Sequence, residues 1–434
     1  MDAAPKLIGN NPVYERWRWQ VFAITWLAYA GFYLTRKSFA VAKIDMGKST
    51  SLGLTDTQMS WIDGSFLTVY AAGQLFAGIC GDRYGTRKVI LAGMLGSVLA
   101  AVAMGATSLV VPLVILSGLQ GLCQSSGWAP LTKNIGCFFS QRERGTVMGL
   151  WCTNYAVGGF VASIFAGSIG GWLGWRYAFY GPAATLLIIW ILFLWLQRNR
   201  PEDVGLPPIE QYHAASETPA PVSKSEAEEL DGSWKSILEV LRNPMVLLLS
   251  AVYFFMKPTR YAIMFWAPKY LNDKLGTNMA QSGALGALFE LAGPLSAFAA
   301  GLISDKIFGS RRIPISVFCL LISAVLVYSL DKLPGTKLML GLCLFLTGFM
   351  LFAPDSLISG TAAIDFGAKK GASTAAGLIN SCGSIGAIAG GTIPGFLHER
   401  WGWNGVFVFL SVSLLIAGLL LLPKWNALPS DKKG

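Results

Sequence analysis

Two arginines within long apolar runs are the residues best suited to bind a ligand. Arg36 lies in the run from residue 21 to 42 and Arg260 in the run from 245 to 267, each fifteen residues beyond the start. A guanidinium at the centre of a membrane costs roughly 2.5–3.5 kcal/mol even on the gentler insertion scale, so it needs a partner or a ligand. The matching positions predict an anion site between two repeats.

The chemistry of a guanidinium group favours phosphate as that anion. Its fork of N–H donors binds phosphate oxygens bidentately, and two forks from opposite halves of a protein can clamp one phosphoryl group. The alternative is that Arg36 and Arg260 each neutralise a buried carboxylate. Few acidic residues lie at the same depth in the sequence, which favours the ligand.

Three further charged residues share this depth. Lys37 points about 100° away from Arg36 around a helix, and we expect it to form a gating ion pair with Glu290 rather than to contact substrate. Lys257 lies one turn before Arg260, with Pro258 between them. Because proline removes a backbone hydrogen bond and broken helices border transport sites, we expect an interruption here and a third positive charge at the site.

Asp355, preceded by Pro354, is a carboxylate in an apolar segment. Three roles are open: binding sugar hydroxyls, carrying a proton, or pairing with a buried cation such as Lys133. The aromatic residues Trp128 and Tyr261 are further candidates for lining a cavity, although most tryptophans of such a chain anchor it at the membrane interface.

The elements that position these residues are transmembrane helices. The 434 residues are 53% hydrophobic and 13% charged, with a mean hydropathy of +0.51, which indicates a multi-pass membrane protein. Segments of about 20 apolar residues are long enough to cross a bilayer. We predict twelve of them, at residues 19–42, 59–79, 89–107, 110–132, 145–169, 176–196, 245–268, 281–303, 313–331, 338–362, 372–396 and 403–423.

The basic residues orient these spans. With both termini on one side, 21 lysines and arginines fall on that side and 8, Lys43 among them, on the other, so both termini are expected in the cytoplasm. The net charge of +10 therefore reflects topology and not nucleic-acid binding. The absence of Asn-x-Ser/Thr sites favours a bacterial inner membrane as the location.

The chain divides into two bundles of six helices. We predict an N-terminal bundle at 1–197, a proline-containing cytoplasmic linker at 198–234 and a C-terminal bundle at 235–434. A loop motif supports this division because it occurs twice, 223 residues apart, while Arg36 and Arg260 lie 224 apart. We expect Gly78 and Gly301 to allow close helix contact, the aspartates of the motif to pair with cations or cap helices, and its basic residues to anchor the turn. The first copy contains Gly78, Asp82, Arg83, Gly85 and Arg87, and the second contains Gly301, Asp305, Gly309 and Arg311.

This repeated loop resembles the signature of the major facilitator superfamily, over essentially the whole chain. The resemblance implies two pseudo-symmetric bundles, a central cavity and alternating access. It becomes narrower at Tyr33-Leu-Thr-Arg36-Lys37-Ser-Phe, at Gly127-Trp128-Ala-Pro130 and at Arg260-Tyr261 followed by Phe265-Trp266-Ala-Pro268. These motifs are similar to the organophosphate:phosphate antiporter family. Segments such as Arg200-Pro-Glu-Asp-Val-Gly205 resemble its solute carrier 37 sugar-phosphate exchangers.

The resemblance also implies roles for individual residues. Arg36 and Arg260 match the phosphate-binding arginines of bacterial members, and Lys257 matches a lysine of the sugar-phosphate exchangers. The glycerol-3-phosphate type has a lysine where this chain has Gln74, and a histidine where it has Asn154 or Tyr155. These side chains are candidates for hydrogen bonds to phosphate or sugar hydroxyls, with packing as the alternative.

The sequence therefore predicts an all-α secondary transporter that exchanges phosphate esters, above all sugar phosphates, for inorganic phosphate. A proton-coupled carrier of another anion and a non-transporting sensor of sugar phosphates are the alternatives. The chain has two histidines, His213 and His398, and no phosphate-binding GxxxxGK[ST] loop, so we expect no enzymatic activity, metal or cofactor. The expected partners are the phosphate ester, inorganic phosphate and the lipid bilayer, with the protein acting as a monomer.

Overall fold

Helices make up the regular structure of this protein wherever its conformation is described. A computed structural model describes residues 11–49, 52–214, 242–306, 308, 311–362 and 372–427. The first half contains α1 (Pro12–Lys48), α2 (Asp56–Tyr84), α3 (Thr86–Ala106), α4 (Val110–Ser125), α5 (Trp128–Phe138), α6 (Gln141–Trp151), α7 (Thr153–Leu173), α8 (Tyr177–Leu196), a 3₁₀ turn (Pro201–Val204) and α9 (Ile209–Ala214).

The second half repeats this arrangement. It contains α10 (Pro244–Leu275), α11 (Met279–Lys306), α12 (Arg312–Ser329), α13 (Lys337–Ser356) with a π-helical continuation (Leu357–Ala362), α14 (Ala372–Leu421) and a 3₁₀ turn (Leu422–Lys424). In α14, Gly402 has a φ of 64° and separates the eleventh predicted span from the twelfth. The described residues thus contain all twelve predicted spans, and the predicted fold class is confirmed.

Two spans of the first half are interrupted where the sequence predicted continuous helices. The fourth consists of α4 and α5, which meet at Ser126 and Gly127, and the fifth consists of α6 and α7, which meet at Cys152. Pro130 lies in the first turn of α5, where its missing N–H has no intrahelical partner to lose. The Gly127-Trp128-Ala-Pro130 motif therefore marks a helix start.

Pro258 does not interrupt its helix, so the prediction of a broken helix was wrong. α10 runs through both Pro258 and Pro268. The carbonyl that Pro258 leaves unpaired is that of Phe254, and α14 approaches it so closely that a Cβ on Gly386 would lie 2.1 Å from its oxygen. The neighbouring carbonyl of Phe255 accepts a hydrogen bond from Ser413 Oγ at 2.6 Å. Tight packing and a side-chain donor thus support the helix where proline weakens it.

Three long helices are more polar than the others. Eight described helices are long and apolar enough to span a membrane by length and composition, and α1, α2 and α10 are not among them. These three carry Arg36, Gln74 and Arg260, respectively. These three less apolar helices therefore carry both predicted arginines and Gln74.

The two bundles meet closely on the face opposite the termini. Lys269 Nζ lies 3.2 Å and His398 Nδ1 lies 2.6 Å from the carboxylate of Asp56 at the start of α2. The N–H of Gly395 donates to Ser60 Oγ at 2.8 Å, and a Cβ on Gly395 would lie 2.0 Å from the carbonyl oxygen of Asp56. These contacts join α2 to α10 and α14 and close that face.

The repeated loop motif anchors each turn through its basic residues. The Arg87 side chain donates to the carbonyl of Leu194 and its backbone N–H donates to Asn199 Oδ1 at 2.8 Å, while the Arg311 side chain donates to Asn426 Oδ1 at 3.3 Å.

The other positions of the motif differ in what the structure shows. Gly85 adopts a φ of 85°, which favours glycine. Gly78 does not mediate helix contact as predicted, because a Cβ there meets nothing within 4 Å. The exposed side chain of Arg83 lies against the ring of Tyr84. Gly309 lies outside the described residues, and so do the side chains of Asp82 and Asp305 and the surroundings of Gly301.

The start of the linker is folded against the N-terminal bundle. The rings of Tyr14 in α1 and Tyr212 in α9 stack with centroids 4.0 Å apart, and Tyr14 Oη donates to the carbonyl of Pro207 at 2.9 Å. Residues 215–241, which include the larger part of the predicted linker, lie outside the described residues.

Candidate functional site

Arg36 is held in the N-terminal bundle by α1, α2 and α4. Its Nε donates to Oε1 of Gln124 at 2.8 Å, and Gln124 Nε2 in turn donates to Thr35 Oγ1 at 3.0 Å. The guanidinium lies over the rings of Tyr33 and Tyr70, 4.5 and 4.8 Å from their centroids. One amide and several aromatic faces therefore fix the orientation of this cation.

The charge of Arg36 is not neutralised within the described residues. The residue is 5% exposed, it forms no ion pair there, and its Nη2 is buried without a hydrogen-bond partner. A buried charged donor without a partner is costly, because the group has lost its water and gained nothing in return. An anion would supply both the counter-charge and the acceptor oxygen that this guanidinium lacks among the described residues.

Arg260 has a different environment, because a carboxylate faces it. Arg260 Nη1 pairs with Oδ2 of Asp355, and Lys257 Nζ lies 2.9 Å from Oδ1. Tyr253 Oη also donates to Oδ1 at 2.9 Å. Asp355 thus joins α13 to three residues of α10. Lys133 has an exposed side chain on α5, so the predicted alternative that Asp355 pairs with Lys133 was wrong. Its cationic partners are Lys257 and Arg260.

Arg260 differs from Arg36 in having a carboxylate at its own depth. Few carboxylates were expected at the depth of the arginines, which holds for Arg36 among the described residues but not for Arg260. Three cations, Arg36, Lys257 and Arg260, accompany one carboxylate, so the described site carries a net charge of +2. A phosphate monoester carries nearly two negative charges at neutral pH, since its second pKa is about 6.

Aromatic residues connect the two halves of the site. The Arg36 guanidinium lies over the ring of Phe66 of α2, which meets the ring of Phe265 of α10 edge-on with centroids 6.1 Å apart. The ring centroid of Tyr261 of α10 lies 5.9 Å from Lys257 Nζ. Tyr155 of α7 crosses between the bundles: the Arg260 guanidinium lies 5.1 Å from its ring centroid, and its ring stacks on that of Phe352. The arginines therefore face a shared aromatic interface between the bundles.

Lys37 and Glu290 are brought together across the bundles. Lys37 Nζ lies 3.0 Å from Glu290 Oε1, without the alignment of a hydrogen bond, and donates instead to the carbonyl of Met264 at 3.0 Å. Both side chains are almost fully buried, at 3% and 2% exposed. A Cβ on Gly159 would lie 3.1 Å from the Glu290 carboxyl carbon, so glycine leaves room for this carboxylate.

The other residues predicted to contact substrate have different surroundings. Gln74 Oε1 accepts a hydrogen bond from Ser384 Oγ at 3.3 Å, which joins α2 to α14 near the site. Asn154 is fully buried, and neither of its side-chain polar atoms has a hydrogen-bond partner within the described part of the chain. Trp128 packs in an aromatic cluster with Tyr29 and Trp151, centroids 5.4 and 5.6 Å away, which supports packing for this residue.

One buried ion pair was missed by the sequence analysis. Lys43 was assigned to a connection on the face opposite the termini, but it is fully buried in α1 and pairs with Asp63 of α2. Its ammonium also donates to the carbonyl of Phe265 and lies 3.9 Å from the ring centroid of Trp266. An acidic residue inside the apolar run 59–79 was the available signal, because such a residue in a membrane requires a partner.

The sequence matches the model of one protein family along nearly its entire length. The Major Facilitator Superfamily model matches residues 25–391 and, in a second match, residues 249–433.

Several curated proteins are similar over almost the whole chain. A probable hexose phosphate transport protein of Chlamydia trachomatis is 31% identical and the glycerol-3-phosphate transporter of Bacillus subtilis is 33% identical, covering 98% and 96% of this chain and 94% of each relative. The membrane sensor protein UhpC of Salmonella typhimurium is 30% identical, covering 98% of this chain and 96% of the relative.

A solved structure shares the fold. A bacterial homologue of the human lysosomal transporter Spinster, described as inward-facing and unoccupied, superposes with a TM-score of 0.74 at 14% identity, covering 96% of both chains.

Proposed function

The chain belongs to the major facilitator superfamily and, within it, to the organophosphate:phosphate antiporter family, and we propose that it exchanges sugar phosphates and related phosphate esters for inorganic phosphate. It is a multi-pass membrane transporter by family. Its relatives named for hexose phosphate and glycerol 3-phosphate support a phosphorylated substrate.

The unneutralised guanidinium of Arg36 carries this proposal. A buried cation with an unpaired donor favours a ligand that supplies negative charge and acceptor oxygens together. Arg260, in the second bundle, offers the matching fork. In the proposed bound state both guanidinium groups contact one phosphoryl head, and Lys257 adds positive charge beside it.

Charge balance supports exchange rather than net flow. The empty site holds a net charge of +2, which resists the rocking of the bundles that alternating access requires. A phosphate dianion neutralises this charge and makes the transition easier. Inward and outward movement are therefore coupled through a bound phosphate in each direction.

The contacts on the face opposite the termini support an inward-facing arrangement. If both termini lie in the cytoplasm of a bacterium, as the basic residues predict, the closed face is the outer one. Both arginines belong to one chain, which supports a monomer as the transporting unit. We propose that the N-terminal bundle ends at residue 197 and the C-terminal bundle begins at residue 235. The linker between them then lies in the cytoplasm, as the distribution of basic residues predicts.

The organic part of the substrate contacts the polar and aromatic residues beside the clamp. Tyr155, Tyr261 and Gln74 are the proposed contacts, because they lie at the interface next to Arg260 or α14. Asn154 has unused donors and acceptors. A thermal-shift screen of purified protein against glucose 6-phosphate, glycerol 3-phosphate and phosphoglycerate identifies which ester binds most tightly.

Transport in proteoliposomes tests the proposal. Vesicles loaded with inorganic phosphate take up labelled phosphate through the wild-type protein, and Arg36→Ala and Arg260→Ala each abolish this exchange. Full exchange by either variant would remove the proposed clamp. A pH gradient across vesicles without internal phosphate should not drive uptake, whereas strong uptake there would favour proton coupling.

A sensor is the second candidate, because a relative named as a membrane sensor is 30% identical over 98% of this chain. A sensor needs the phosphate site but not rapid conformational exchange. Tight binding of a sugar phosphate with negligible flux in the same vesicles would favour this function.

A further inference from the structure

The two repeat-related arginines differ in one respect that their sequence positions do not explain. Arg36 has no carboxylate among the described residues, whereas Arg260 faces Asp355. Asp355 is 4% exposed, and both its oxygens are engaged: Oδ2 by Arg260, and Oδ1 by Lys257 and Tyr253. A carboxylate thus occupies the donors that the second half of a phosphate clamp needs.

The partners of Asp355 are not equivalent in position. Tyr253 and Lys257 lie one turn apart on α10, and both engage Oδ1, each at 2.9 Å. Arg260 engages the other oxygen and lies beside Tyr155 of the opposite bundle. The carboxylate therefore keeps two partners if Arg260 turns toward a ligand at the interface.

The backbone after Asp355 has an unusual conformation. The π-helical turn Leu357–Ala362 follows α13 directly, and Ser359 Oγ donates to the carbonyl of Asp355 at 2.6 Å. Such turns are rare and occur frequently at functional sites. This turn places a local irregularity of the backbone directly after the residue that pairs with Arg260.

We propose that Asp355 is an internal counter-ion that holds Arg260 while the site is empty and releases it to bound phosphate, while Lys257 and Tyr253 retain the carboxylate. This proposal rests on the phosphate exchange proposed above. Asp355 is then a positioning and specificity-determining residue, and it does not itself contact the substrate.

The counter-ion explains how the site would prefer a dianion. With Asp355 kept by Lys257, the charges that remain for a ligand are those of Arg36 and Arg260, which match a phosphate dianion. A monocarboxylate carries one negative charge, so it could replace Asp355 at Arg260 but would leave one of the two arginines without a counter-charge. Competition between Asp355 and phosphate for Arg260 also lowers the affinity for phosphate and speeds its release, which exchange requires.

Removing the carboxylate tests this competition. Asp355→Asn should lower the KM for inorganic phosphate by roughly tenfold, because a competing carboxylate in direct contact with Lys257 and Arg260 is lost. It should also lower the maximal exchange rate, because phosphate leaves more slowly. Acetate should inhibit exchange by this variant and not by the wild-type protein. An unchanged or raised KM, or equal inhibition by acetate, would overturn the proposal.

A second variant tests the same competition from the other side. Tyr253→Phe removes a donor that helps to retain Asp355, so the carboxylate holds Arg260 more firmly and the KM for phosphate should rise by roughly threefold. A lowered KM would contradict the counter-ion role. Because the two substitutions act in opposite directions, a general loss of stability cannot produce both results.

Control variants separate this inference from the proposed function. Asp355→Glu keeps the charge and should restore a KM near the wild-type value. Asp63→Asn, which removes another buried aspartate paired with a lysine, should leave the KM for phosphate unchanged. If the wild-type protein exchanges phosphate and Arg36→Ala does not, but Asp355→Asn has an unchanged KM, only the counter-ion role fails. If the wild-type protein does not exchange phosphate, the proposed function fails.

Discussion

The environment of a charged residue in a membrane protein determines what that residue can bind. Arg36 is oriented by Gln124 and by aromatic faces, none of which removes its charge. Arg260 shares a carboxylate with Lys257, and its charge is partly balanced. The proposed clamp is therefore asymmetric: the Arg36 guanidinium has no counter-charge among the described residues, whereas the Arg260 guanidinium pairs with Asp355.

The buried pair of Lys37 and Glu290 gives a prediction at the residue scale. Glu290→Gln leaves the Lys37 ammonium buried and without its counter-charge, which should reduce stability by roughly 3–5 kcal/mol. The double variant Lys37→Met/Glu290→Met removes both charges and should recover most of this loss. Thermal unfolding of the purified proteins in detergent measures both effects. A double variant as unstable as the single one would show that the charges themselves are not responsible.

The sequence identified these charged residues more reliably than their partners. Arg36, Lys257, Arg260 and Asp355 stand out because ionisable groups in apolar segments are rare. Their pairing depends on helix rotation and on contacts between distant segments, which a local pattern does not contain. Lys43 shows the same limit: near the end of an apolar run it was indistinguishable from a loop lysine, and only the approach of α2 reveals Asp63 as its partner.

Helix contacts at the closed face depend on glycines at close approach. Gly395 of α14 faces the carbonyl of Asp56, and Gly283 of α11 faces that of Ser163 in α7, where a Cβ would lie 2.5 Å from the oxygen. Neither glycine belongs to the repeated loop motif. Glycines in apolar helices are common, so the sequence could not indicate which of them pack between the bundles.

Substitution at Gly395 should open this face. A methyl group there collides with backbone atoms of α2, and overpacking of this kind costs roughly 1–3 kcal/mol. We expect Gly395→Ala to expose a cysteine introduced at the buried Ser60 to alkylating reagents added from that side.

The matched control for Gly395 is Gly377, also on α14, where a Cβ would meet nothing within 4 Å. Gly377→Ala should leave the cysteine at position 60 protected and should change stability by no more than about 1 kcal/mol. Equal alkylation in the two backgrounds would argue against close packing as the basis of the closed face.

The ionic contacts at the start of α2 predict a dependence on pH. Burial raises the pKa of Asp56, but the hydrogen bond from His398 and the charge of Lys269 outweigh it, so the net pKa lies below its usual value of 3.8. Burial lowers the pKa of Lys269, but its contacts with Asp273 and Asp56 raise it above 10.5. The ionised Asp56 carboxylate therefore stabilises the fold above about pH 4. This stabilisation is lost as the pH falls through the lowered pKa of the folded state.

Acid unfolding checks this assignment. The melting temperature of the wild-type protein should fall more steeply below about pH 4 than that of Asp56→Asn, which has no carboxylate to protonate. Parallel curves throughout the acid range would mean that Asp56 does not contribute through its charge.

At the scale of the whole molecule, the sequence predicted the architecture well. A bilayer requires about 20 apolar residues for each crossing, and the described residues contain all twelve predicted spans. The interruptions at Ser126 and Cys152 were not predicted, because hydropathy does not depend on local helix geometry. Which face is closed was also not predictable, since both conformations of a transporter use the same apolar segments.

Binding of inorganic phosphate to the purified protein tests the central claim most directly. Calorimetric titration should show one phosphate bound per wild-type chain, and no measurable binding to Arg36→Ala or to Arg260→Ala at the same concentrations. Thermal unfolding confirms that each variant is folded. Phosphate binding with wild-type affinity by either folded variant would contradict a site formed by one arginine from each bundle.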